Sequence, residues 1–246
     1  MKYLLSILCL FMFSCTSSND DSNFELSSSL LDDCNSNDKN FVIYKNNEYN
    51  CNDLEILGDF IISNYSLQLN DISIKNIIDG YDDMNPPEYH HVLSSSWQDG
   101  SLIELRIFFD LTTIPSSINE LDQLQGLDLG DFNQINSFEP NLCDLINLHH
   151  LDLSRNYIIE IPECISNLIN LMDLDLDENQ INTIPESLCE VANNNCYIEL
   201  DSNNLCDELN FQCFIGNTWD FNGERPQDQS NCCEGPNGEP NWTKCP

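Results

Sequence analysis

Four residues near the middle of the chain combine reactive side chains with regular spacing: His150, Asp152, Asp173 and Asp175. Each pair has its members two residues apart, as neighbours on one face of a strand would be. The pairs are offset by 23 residues, and Asp177 extends the second. Carboxylates with an imidazole have the donor set for a divalent cation. Hard oxygens suit calcium, and His adds zinc or manganese. The run Asp173-x-Asp175-x-Asp177 also begins like a calcium loop. It then departs, because Glu178 stands where Gly is required and Ile184 where the bidentate Glu belongs. No metal or cofactor is therefore assigned. A His150–Asp173 pair has the makings of a base, but no nucleophile, Gly-rich loop or oxyanion donor set accompanies it. Ser154 is expected on a flat open sheet. The expectation is a protein without catalytic residues, not an enzyme.

The elements that would position these residues come from a repeat. Leu148-His149-His150-Leu151-Asp152-Leu153-Ser154-Arg155-Asn156-Tyr157-Ile158 returns 23 residues later as Leu171-Met172-Asp173-Leu174-Asp175-Leu176-Asp177-Glu178-Asn179-Gln180-Ile181. Each copy continues into Ile161-Pro162 or Ile184-Pro185 and further apolar residues. Looser copies start at Leu102 and Leu124, and another runs through Ile198, Leu200, Asn203 and Leu205. In the Leu124 copy Asn133 and Ile135 come one residue late, and in the first copy Asp110 takes the Asn position.

This resembles the leucine-rich repeat of bacterial extracellular proteins, of the LxxLxLxxNxLxxIP type. The resemblance implies an α/β solenoid, a horseshoe with short parallel concave strands and disulfide-stabilised caps. One coil cannot bury its own faces, so stacked neighbours must do so. The chain divides into a signal over 1–15, an acidic tether over 16–33, an N-terminal capping region over 34–100, repeats over 101–206 and a Cys-rich C-terminal cap over 207–246. Within the N-terminal region, Phe41–Tyr44 and Glu48–Asn50 predict a hairpin, and Asp53 to Ser63 a helix capped by Asn52 or Asp53. Ser96-Trp97-Gln98-Asp99-Gly100 resembles the W-x-x-G element that leads into the first repeat of such proteins.

Stacking aligns the outward strand positions in columns. The central column reads Arg106, Asp128, Asp152, Asp175, Glu199. One flank reads Glu104, Gly126, His150, Asp173, Tyr197, and the other Phe108, Gly130, Ser154, Asp177, Asp201. Strands about 4.8 Å apart make these carboxylates near neighbours. Like charges opposed across strands destabilise a sheet, so folding alone gives little reason to gather them. The candidate ligand-binding face comprises Arg106, Phe108, Asp128, His150, Asp152, Asp173, Asp175, Asp177, Tyr197, Glu199 and Asp201.

The chain carries 42 acidic and 8 basic residues and a net charge of −34. Nucleic acid is excluded as a partner, and an anionic membrane is disfavoured except through a lipid anchor. Met1 to Cys15 is a short apolar run behind Lys2 that ends in Ser14-Cys15. It resembles a bacterial lipoprotein signal, which implies lipidation at Cys15 and an outer-membrane or cell-surface location. An ordinary secretory signal and a secreted protein are the alternative.

Cysteine usage agrees with export. Cys34 and Cys51 flank the predicted hairpin, and Cys189, Cys196, Cys206 and Cys213 crowd the last repeat. Cys232, Cys233 and Cys245 close the chain. Eleven cysteines follow Cys15, an odd number. Cys143 and Cys164, each alone in a convex segment, are the candidates for an unpaired thiol. Together these features describe a surface-exposed binding module for a protein or peptide, with a cationic partner favoured by the acidic face. A structural or carbohydrate-associated envelope lipoprotein and a divalent-cation-dependent adhesin are the alternatives.

Overall fold

A computed structural model describes residues 34, 40–44, 46–65, 93–107, 111–130 and 133–205. The signal, the tether, Phe108, Asp110 and the C-terminal cap with Cys206, Cys213, Cys232, Cys233 and Cys245 lie outside the described residues. Strands β1 (Phe41–Tyr44) and β2 (Asn47–Asn50) pair as an antiparallel hairpin. Helix α1 (Cys51–Tyr65) follows directly. Strand β3 (Leu93–Gln98) then opens a six-stranded sheet that continues through β4 (Ser101–Ile107), β5 (Gly126–Asp128), β6 (His150–Asp152), β7 (Asp173–Asp175) and β8 (Tyr197–Glu199). The step from β3 to β4 is antiparallel, and every later step is parallel.

Strands β5 to β8 are each three residues long because each coil has little chain to spend. The central residue of each points inward: Leu127, Leu151, Leu174 and Ile198 are buried, with the flanking positions turned outward. The chain returns on the opposite side through 3-10 helices at Ser116–Glu120, Pro140–Asp144 and Glu163–Asn167. Each begins at or beside a proline, which fixes φ and brings no N–H to satisfy. Their first bonds reach three residues back, as from Ile165 N–H to the Pro162 carbonyl at 3.1 Å. In the last coil Leu188–Asn193 forms helix α2. One continuous core, from Leu102 through Leu205, runs between strands and helices.

Backbone that leaves a strand and turns inward needs partners, and the repeated asparagine supplies them. Asn133, Asn156, Asn179 and Asn203 are all buried. Asn156 Nδ2 donates to the carbonyls of Leu129, Leu153 and Ser154 at 2.9–3.1 Å, and its Oδ1 accepts from Ile135 N–H at 3.0 Å. Asn179 and Asn203 repeat the pattern one and two coils on. Asn133 joins it despite its late position, bonding the carbonyls of Ile107, Leu129 and Gly130 and the Leu111 N–H. The extra residue of that repeat leaves the ladder intact. The residue before the asparagine in the next three coils, Arg155, Glu178 or Ser202, has a left-handed backbone with φ of 54°, 52° and 55°.

The N-terminal region closes the open end of the core. Cys34 and Cys51 form the expected disulfide. The helix cap differs from expectation: Asn50 Oδ1 accepts the Asn52 N–H at 2.9 Å, so α1 starts two residues before the predicted Asp53. Asp53 instead turns into the junction and accepts the Leu102 N–H at 2.8 Å, tying the helix to the first repeat. Burial pushes its carboxyl up to about 6, against the opposing pull of that bond and with a smaller push from Asp122. Ser96 to Gly100 does more than lead into the first repeat. It forms the end of β3 and a two-residue turn, with Asp99 and Gly100 at φ of 50° and 85°. Asp-Gly at such a turn is a hairpin signal. Trp97 packs against both the solenoid core and a smaller second core of Cys34, Val42, Tyr49, Cys51 and Leu54, and meets Tyr49 edge-on at 5.1 Å.

Two expectations about cysteine are corrected. Cys143 and Cys164 are not left unpaired but form a disulfide, with Cα atoms 5.8 Å apart. Both lie in 3-10 helices of consecutive coils, and stacking brings such positions side by side on the convex surface. Cys196, expected among the bridged cysteines, is a thiol. Its side chain is fully buried in the solenoid core, and its Sγ donates to the Tyr197 carbonyl at 3.4 Å. Burial, and then Asp173, push it up to about 12. Cys189 is disulfide-bonded, in line with expectation.

Candidate functional site: the concave sheet

Sheet register fixes two of the three columns inferred from the sequence. Arg106, Asp128, Asp152, Asp175 and Glu199 are successive partners across β4 to β8, as are Glu104, Gly126, His150, Asp173 and Tyr197. Asp177 and Asp201 stand just beyond β7 and β8, joined by an Asp201 N–H to Asp177 Oδ1 bond at 2.6 Å. The face carries a shallow depression of about 370 Å³ whose lining includes Arg106, His150, Asp152, Asp173, Tyr197 and Glu199.

Charge is unevenly distributed along it. At one end Arg106 Nε lies 4.0 Å from Asp128 Oδ2. Midway, His150 Nδ1 is 3.8 Å from Asp173 Oδ2. Toward the other end the acids crowd: one carboxylate oxygen each from Asp175, Asp177 and Glu199 lies within 4.8 Å of the others. The Asp175 carboxyl is pushed up to about 8, chiefly by burial, with Asp152, Asp177 and Glu199 adding repulsion and the Asp177 N–H opposing. Asp173 is raised as well, by burial first, while His150 pulls it back. Tyr197 OH donates to Glu199 Oε1 at 2.7 Å.

The central aspartates also have a local task that spacing alone did not reveal. Asp128, Asp152 and Asp175 each accept, through Oδ1, the N–H two residues on, from Gly130, Ser154 and Asp177 at 3.2, 2.8 and 2.9 Å. This is an Asx turn that guides the chain off the strand. It explains a short oxygen-bearing side chain at that position. It does not explain the charge, because an asparagine oxygen would accept the same bond. At Gly130 a Cβ would lie 2.6 Å from Asp152 Oδ1 and 2.8 Å from Ser154 Oγ, so any larger residue there would require those two side chains to shift. A rim contact was not foreseen from the sequence: Arg155 Nε donates to Glu178 Oε1 at 3.2 Å. Their identical repeat positions were the available signal.

Asp175, Asp177 and Glu199 offer the oxygen donors a hard divalent cation would take. Ser154 meets Asp152 through its backbone N–H, and the near pair His150–Asp173 is exposed. Nothing in this arrangement sets up a nucleophile with a base.

The geometry of parallel three-residue strands, a buried asparagine ladder and a helical convex return defines the class: a leucine-rich repeat solenoid. No protein-family model matches the chain, and no curated protein matches it. Solved structures do. A leucine-rich repeat protein of Leptospira interrogans is 27% identical over 42% of this chain and 26% of its own, with a TM-score of 0.39. The leucine-rich repeat ectodomain of an Arabidopsis thaliana membrane receptor kinase, solved in complex with casparian strip integrity factor 2, is 30% identical over 41% of this chain and 12% of its own, at 0.35. The BIR2 ectodomain of Arabidopsis thaliana is 22% identical over 62% of this chain and 81% of its own, at 0.44. The chain thus spans well under half the length of the first two.

Proposed function

We propose that this protein is a non-catalytic binding module whose acidic concave face recognises a positively charged protein or peptide. The observation that carries the reading is the central column. There the fold needs an oxygen acceptor at positions 128, 152 and 175, and the sequence supplies a carboxylate each time. Keeping an ionisable group where ionisation is disfavoured, as at Asp175, has a use if a cation completes the site. An open curved sheet gives an extended partner several side chains at once without enclosing a reaction.

Disulfides at Cys34–Cys51 and Cys143–Cys164 support an oxidising compartment outside the cytosol. Among the described residues no helix is long and apolar enough to cross a membrane. Attachment would come from lipid on Cys15, with the acidic segment after it as a tether. Labelled fatty acid entering wild type and not Cys15→Ala checks the anchor. Calorimetric titration of the protein with calcium, zinc and a polylysine peptide tests the face. Heat with polylysine that fades at high salt supports the reading. Heat with none of the three, and an unchanged melting temperature, reduces the acidic face to a solubility feature.

A further inference from the structure

The two hairpins of the N-terminal region carry their turns side by side. Asn46, at φ 67°, lies in the turn from β1 to β2, and Asp99 and Gly100 form that from β3 to β4. The Asn50 N–H donates to the Gly100 carbonyl at 2.7 Å and fixes one hairpin against the other. Between them lies a cleft of about 600 Å³, larger than the concave depression and lined by Asn46, Asn47, Glu48, Ser95, Trp97 and Asp99. Small-molecule sites span roughly 300–1,000 Å³.

The lining has a definite chemistry. Trp97 is half-buried and held on two sides, by the edge-on contact with Tyr49 and by its Nε1–H donating to Ser95 Oγ at 3.0 Å. It offers a rigid apolar surface. Around it stand the exposed amides of Asn46 and Asn47 and the exposed carboxylates of Glu48 and Asp99. An amide donates and accepts from one planar group, and a carboxylate accepts through two oxygens. A ligand matching both parts has a flat C–H face for the indole and adjacent hydroxyls for the planar groups. That is a sugar ring.

Other ligand classes fit less well. The two carboxylates repel an anion, and no described cation lines the cleft. A peptide strand would want apolar pockets at alternate residues, which the lining does not provide. A cation caged by aromatics would want several ring faces, and Tyr49 is only 5% exposed. We propose that the cleft between the two hairpin turns binds a neutral carbohydrate, stacked on Trp97 and hydrogen-bonded by Asn46, Asn47, Glu48 and Asp99. This site is separate from the concave face and does not depend on its function.

The full chain is screened against an array of defined neutral oligosaccharides, and the tightest binder is then titrated calorimetrically. Asn47→Ala and Glu48→Gln alter exposed side chains, so the melting temperature should not move. Each should weaken binding by about tenfold, the loss expected for a good polar contact. Trp97→Ala should abolish binding, but it also disturbs both cores, so the exposed variants decide. Binding should be the same at low and high salt and in Asp152→Asn/Asp175→Asn. Three results overturn the proposal: no array member bound, a binder indifferent to Asn47→Ala and Glu48→Gln, or a sugar displaced by tetramethylammonium in a salt-sensitive way.

Discussion

The buried asparagine ladder and the concave acidic column run through the same coils and repeat with the same period, yet they do opposite things. In the ladder, repetition makes bonds. Each asparagine satisfies the backbone of its own coil and of a neighbour, so every added copy secures the last. In the column, repetition makes repulsion. Each added aspartate forms its own turn but crowds the charge before it, and at Asp175 that repulsion adds to burial, the larger cause, in raising the carboxyl to about 8. A repeated residue is therefore not one kind of evidence. Where its neighbours satisfy it, the fold explains it. Where they strain against it, something outside the fold is the better explanation.

The largest effect that would break this contrast is on the ladder. Asn156→Ala leaves the Ile135 N–H and several buried carbonyls unsatisfied and should lose about 3–4 kcal/mol in urea denaturation. Asp152→Asn, in the same coil, keeps its turn bond and should change stability by less than about 0.5 kcal/mol or raise it. Comparable losses from both would erase the distinction. Next comes the staple between consecutive coils on the convex side. Cys143→Ser with Cys164→Ser should lose about 2–3 kcal/mol, read as a lower denaturation midpoint.

The subtler effect is on pH dependence. Unfolded, Asp175 ionises near 3.8, whereas folded it holds its proton to about 8. The folded state therefore binds the extra proton between those values, and this group's contribution to stability falls as pH rises through that window. Asp173, raised in the same direction, adds to the slope. Asp175→Asn removes the charge and keeps an acceptor for the Asp177 N–H. After discounting for solvent screening it should stabilise by about 1–2 kcal/mol at pH 9 and by little near pH 4. A gain equal at both pH values would show that ionisation of this carboxyl does not cost the fold stability.

How legible the molecule was in its sequence follows the same division. The strands, the asparagines and both columns could be placed because each depends on one short-range period that recurs. The late Asn133 could be placed in the ladder only with its partners at Ile107, Leu129 and Leu111 in view. Contacts that occur once were hidden. Asn50 as helix cap, Asp53 reaching Leu102 and β3 folding back on β4 each join segments that share no pattern. The Asp99-Gly100 turn carried a local signal that an expected lead-in sequence obscured. For Cys143 and Cys164, lying near one repeat apart was the clue, and treating each as solitary overlooked the stacking of convex segments. The aspartate turns were invisible because spacing reports which face a side chain takes and not which backbone group it meets.

Whether the concave charge exists for a cation is decided by titrating a polylysine peptide into wild type and Asp152→Asn/Asp175→Asn at low and high salt and at pH 7 and 9. A cation binds the ionised form, so wild type should bind more tightly at pH 9, release protons on binding at pH 7, and weaken sharply with salt. The double variant, with its fold intact, should bind weakly and show flatter salt and pH dependence. Equal binding by both proteins, or none by either, would mean that the concave aspartates do not serve a cation.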